Sequence, residues 1–109
     1  MIADLSYLNA LLGYDPDRTQ RFIEIYQKEL PAQLGLLVIC LQEGNRTELA
    51  TIAHGIKNQS AYLGAEEVIR LAHRLETEAE QHVPDNQLFI LIQDLRIAVT
   101  HVIDKLRGL

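Results

Sequence analysis

The chain reads as an all-α protein, an up-down antiparallel four-helix bundle with a short extra N-terminal helix. Three observations predict this. Apolar residues recur at spacings of three and four along the chain, the period of a helix with one buried face. Strand-like alternation is scarce. Only three prolines and six glycines interrupt 109 residues, so the periodic segments are long and the connections short. Short connections make successive helices antiparallel neighbours.

The elements follow in order. A short helix covers about Asp4 to Leu12 and ends at Gly13. Asp15 is a good cap for the next helix, with Pro16 at its first position. That helix carries Phe22, Ile25, Tyr26, Glu29 and Leu30. Pro31 is expected to kink or restart it before Leu34, Leu37, Val38 and Leu41 continue the pattern to Gly44. Asn45, with Glu48 three residues on, resembles a capping box and opens a segment running to about Leu63. After Gly64, Glu66 to His82 forms a helix with Val68, Leu71, Ala72, Leu75 and Ala79 on one face. Asp85 to Leu106 is the last, with Leu88, Leu91, Ile92, Leu95, Val99, Val102 and Leu106 turned inward. The expected organisation is one domain over residues 1–109, with the N-terminal helix at about 4–12 and the bundle at about 15–108.

Bulk properties narrow the function. The composition is 48% hydrophobic and 23% charged, that of a folded globular chain. A net charge of -5 argues against nucleic acid as a main partner. No basic run marks a membrane surface site, and no apolar stretch approaches the length of a membrane span. The N-terminus, with Asp4 and no early Lys or Arg, does not read as a signal peptide. The one cysteine, Cys40, lies in an apolar run and reads as core volume, which suits a cytoplasmic location. With no unused apolar face evident, a monomer is expected.

The informative stretch begins at Asn45. On a helical wheel, Leu49, Ile52, Ile56, Ser60 and Leu63 form one core stripe. His54 lies almost diametrically opposite and should face water. Thr47, Ala50, Thr51, Lys57, Asn58, Ala61 and Ala65 share its side of the wheel, and most are small. An imidazole ringed by Ala and Thr is open to a second macromolecule. Imidazole is partly neutral and nucleophilic near pH 7, and Lys57 at i+3 can reach a negative group placed on it. On periodicity alone, an exposed His with a Lys one turn away is usually plain surface. His73, His82 and His101 carry only that plain reading, and no pair of histidines has metal-ligand spacing with a carboxylate or thiolate nearby, so no metal is expected.

From here the sequence resembles the histidine-containing phosphotransfer (HPt) domain family of two-component phosphorelays. The matching residues are Ala53, His54, Ile56, Lys57, Ser60, Leu63, Gly64 and Ala65, then Val68, Leu71, Ala72, Leu75 and Glu76 on the next helix. Leu8, Gly13, Asp15 and Phe22 extend the likeness more weakly to the N-terminus. Two positions depart from the pattern. Asn58 stands where a Gly usually follows the Lys, and Gln59 replaces the next small residue. Asn58 is close to His54 on the wheel, so it bears on rate and partner preference.

The resemblance implies that His54 accepts a phosphoryl group from a receiver-domain aspartyl phosphate and passes it to another receiver Asp. It implies that Lys57 stabilises the phosphorylated form and that Gly64 lets adjacent helices approach closely. It implies no intrinsic cofactor, with the divalent metal of such transfers held by the receiver partner, and no autokinase activity. Partners would be the receiver domains of response regulators or hybrid sensor kinases. The expected docking residues are Ala50, Thr51, Asn58, Ala61 and Ala65. Two other readings stay open: a non-catalytic helical adaptor, and an inhibitor that docks a kinase or response regulator without turnover. A dimerising sensor-kinase segment is disfavoured, because Gly55 stands where such helices have an acidic residue.

Overall fold

The computed structural model describes residues 2–108; Met1 and Leu109, the outer bounds of the expected domain, lie outside the described residues. The fold is all-α. Its helices are α1 (Ser6–Leu11), α2 (Pro16–Gln42), α3 (Arg46–Ala61), α4 (Glu66–Ala79) and α5 (Asp85–Arg107). The four long helices form an up-down bundle, 44 × 22 × 19 Å, in which each packs on the next and α5 closes the ring against α2.

Each boundary has a local cause. Asp4 does not begin α1. Its carboxylate accepts the Ser6 backbone N–H at 2.9 Å and the Ser6 hydroxyl at 2.7 Å, so the chain enters the helix after it. Gly13 and Tyr14 both take positive φ, at 66° and 58°, to turn the chain into α2. Asp15 then caps α2, accepting from the N–H groups of Asp17 and Arg18, with Pro16 in the first turn. Of the two alternatives at Pro31, a kink or a restart, the restart does not occur: α2 runs 27 residues through it. Pro31 is exposed, so its ring faces water while Leu30 and Leu34 on either side are buried.

Asn45 caps α3 through its side chain, which accepts the Glu48 N–H at 3.1 Å. Only half of the expected capping box forms, because the Asn45 N–H donates instead to the Cys40 carbonyl at 2.8 Å. The helix expected to reach His82 ends at Ala79. Arg46 explains the early end. Its guanidinium donates to the carbonyls of Gln81 and Val83 and to the Asp85 carboxylate, holding the α4–α5 loop against the start of α3.

The core is aliphatic. Leu30, Leu37, Leu49, Ile56, Leu63, Leu75, Leu88, Ile92 and Leu95 are all fully buried. One polar pair lies inside it, the Tyr26 hydroxyl against the Ser60 hydroxyl at 2.9 Å. Burial pushes the Tyr26 phenol up to about 12 despite that bond. Among the described residues no buried side-chain N or O lacks a partner, as a well-packed interior requires.

Candidate functional site

The site lies across the α3–α4 hairpin. α3 carries His54 and Lys57, and α4 carries His73 and Glu76. A spacing of three on each helix puts each pair on one face. The turn between the helices sets the two faces opposite each other. That turn needs Gly64, whose φ is +58°; a Cβ there would come within 3.0 Å of the Asp4 carbonyl oxygen. The nearest neighbours of that position are atoms of Asp4 in the N-terminal segment. The Asp4 N–H seals the turn by donating to the Leu63 carbonyl at 2.8 Å.

His54 faces outward, its side chain 52% exposed, with Ala53 beside it fully buried. Its Nδ1 sits 3.0 and 3.2 Å from the two Glu76 carboxylate oxygens. A carboxylate can only accept, so Nδ1 carries the hydrogen in this contact, and in the neutral ring the lone pair is on Nε2. Lys57 donates to Glu76 Oε2 at 3.0 Å, and its Nζ is 3.4 Å from His73 Nδ1. Burial pulls the Glu76 carboxyl upward, but hydrogen bonds from Lys57 and His54, aided by their charges, hold it below its ordinary value. Glu76 stays ionised and accepts from His54 and Lys57 at once.

Chemically this is a positioned imidazole. One nitrogen is fixed by a carboxylate, the other is free, and an ammonium stands within one side-chain swing. The arrangement can present a nucleophilic Nε2 to an incoming electrophile and balance negative charge that arrives there.

The structure groups the residues read from the sequence unevenly. His54 and Lys57 share the site. Thr51, Asn58 and Ala61 are exposed on the same helix. Ala50 and Ala65 are corrections: they are 5% and 0% exposed and have no surface to offer a partner. α3 sits in the corner between α2 and α4, so its buried arc is wider than one stripe and takes in Ala50 and Ala53. Ala65 lies past the end of α3, in the turn after Ala61, where a helical wheel no longer applies.

Sequence reasoning missed Glu76 as a working residue. No acid lies one turn from His54 on its own helix; the acid beside it comes from the next helix. The signal available was Glu76 closing the Leu71-to-Leu75 pattern, with His73 one turn before it. Among the described residues no cluster of three or more His, Cys, Asp or Glu could hold a metal, and no helix is long and apolar enough to cross a membrane.

Comparison with curated proteins and with solved structures found no match. A family model, Hpt domain, matches residues 21–107, which takes in all of α3, α4 and α5 and most of α2. That span contains His54, Lys57 and Glu76 on the hairpin that joins them, and the chain belongs to the Hpt domain family.

Proposed function

We propose that this chain is a phosphorelay intermediate that carries a phosphoryl group on Nε2 of His54. The observation that carries the reading is the Nδ1–Glu76 contact at 3.0 Å beneath a half-exposed imidazole. It leaves Nε2 as the one ring nitrogen with a free lone pair.

The donor is an aspartyl phosphate on a receiver domain. The Nε2 lone pair forms the N–P bond as the acyl phosphate P–O bond breaks, and the receiver carboxylate leaves with that electron pair. No proton has to leave Nε2, so no separate base is needed. The ring becomes cationic as the bond forms, and Glu76 offsets that charge through Nδ1–H. Lys57, now paired with Glu76, is placed to turn to the phosphoryl oxygens. The same steps in reverse deliver the group to a second receiver Asp. The divalent metal of both transfers belongs to the receiver, and the carrier has no autokinase activity. Such a carrier works in the cytoplasm, where its receivers are.

The test is phosphoryl transfer from a panel of phosphorylated receiver domains to the wild type and to His54→Gln. Acid-labile, alkali-stable label on the wild type alone is the expected outcome. Label on neither protein, with receiver binding intact, would sink the carrier and leave a docking adaptor or inhibitor.

A further inference from the structure

One turn beyond His54 on α3 the surface is recessed. Asn58, Ala61, Tyr62 and Tyr7 line an open hollow of about 450 Å³. Tyr7 belongs to α1. Its ring stacks on Tyr62 with centroids 6.2 Å apart, and Tyr62 meets Phe22 edge-on at 5.6 Å. Both tyrosines are exposed to water, Tyr7 at 59% and Tyr62 at 38%. The stacked aromatic pair and Ala61 suit an apolar side chain, with Asn58 the polar member of the lining, and rigid aromatics are the residues that anchor interfaces.

What covers the recess follows from its distance to the imidazole. Ala61 lies seven residues beyond His54 on the same helix face, a rise of about 10 Å. A protein that reacts with His54 must dock over it. A standard contact of roughly 800 Å² per partner reaches about 16 Å from its centre. Any such footprint centred on His54 therefore takes in the recess.

α1 itself is outside the residues that match the family model, which begin at 21. It is nonetheless fixed. Leu8 is fully buried, Thr19 Oγ1 donates to Asn9 Oδ1 at 3.0 Å, and Asp4 is tied to Leu63. We propose that the Tyr7–Tyr62 recess is a partner-selecting subsite, taking an apolar side chain of the receiver domain that exchanges its phosphoryl group with His54. It rests on the carrier reading above. α1 thus adds selectivity to a transfer centre that it does not otherwise touch.

The test uses the full chain, Tyr7→Ser and Ala61→Trp, with two phosphoryl donors. Phosphoramidate is small and needs no docking; phosphorylated receivers do. Tyr7→Ser should raise KM about tenfold for the receivers that serve the wild type best, the scale of one lost aromatic anchor, at unchanged kcat. Ala61→Trp, which fills the recess, should do the same. Tyr7→Ser should take label from phosphoramidate at the wild-type rate. Wild-type KM values for every receiver in both variants would overturn the proposal. So would an equal loss with phosphoramidate, which would make Tyr7 a prop for the fold. A wild type labelled by neither donor would overturn the carrier reading itself, and this one with it.

Discussion

Glu76→Gln isolates the contact on which the imidazole's orientation depends. The carboxylate holds Nδ1–H at 3.0 Å. A hydrogen bond to a charged group contributes roughly 1.5–3 kcal/mol when shielded from water. Here the two side chains are 52% and 23% exposed, so solvent screening brings the figure to about 1–1.5 kcal/mol. The amide changes the chemistry as well as the strength. Its oxygen still accepts from Nδ1–H, but its NH2 can donate to a bare Nδ1, which admits the tautomer whose hydrogen sits on Nε2. That tautomer has no lone pair on Nε2 to offer phosphorus. Single-turnover transfer from a phosphorylated receiver should therefore fall roughly five- to tenfold. Nitrogen NMR of the imidazole should show the tautomer balance shifting toward Nε2–H. Global stability should change by no more than about 1.5 kcal/mol, because the contact is partly exposed and the amide keeps one acceptor. Wild-type transfer together with an unshifted tautomer balance would refute the reasoning and make Glu76 a bystander of Lys57.

Three further outcomes are expected. Because Glu76 is held below its ordinary value of 4.5 in the folded chain, its pairing stabilises the fold above that pH. The benefit is lost as pH falls from 4.5 through the folded value, so urea unfolding should show a shallower acid decline in Glu76→Gln than in the wild type. Tyr26→Phe leaves the fully buried Ser60 hydroxyl without its partner and should cost about 1–2 kcal/mol; an unchanged urea midpoint would mean that Ser60 has turned to a carbonyl of its own helix. Gly55→Ala places a Cβ where nothing lies within 4 Å and should stabilise α3 by about 0.8 kcal/mol. If that variant folds more tightly yet transfers more slowly, glycine is there to admit the partner; a lower melting temperature would contradict the open space beside it.

The helices were legible because each carries its own periodicity and punctuation. Asp15 with Pro16, and Asn45 with Glu48, mark starts by chemistry local to a few residues. His54 was legible for the same reason, since facing away from Leu49, Ile56 and Ser60 is a property of α3 alone. Relations between helices were not. Whether Ala50 sees water depends on how closely α2 and α4 flank α3, and the early end of α4 depends on Arg46 reaching across from another helix. Glu76 is the sharpest case. Its helix could be drawn from the sequence, but its place beneath His54 depends on the geometry of a turn built on Gly64 and braced by Asp4. The stack of Tyr7 on Tyr62 is equally a product of how the chain returns on itself, across 55 residues of sequence.

The hairpin origin of the site also bears on the order of assembly. His54 and Glu76 are separated by 22 residues, and their two helices are joined by the turn from Tyr62 to Ala65. Closing a loop costs more entropy as its length grows, so the α3–α4 pairing is among the least demanding tertiary contacts in the chain. The α2–α5 seam joins the ends of the bundle and carries the largest closure cost. Substitutions along that seam should therefore act on the unfolding rate more than on the folding rate, while His54 and its carboxylate partner come together early, before the ring is shut.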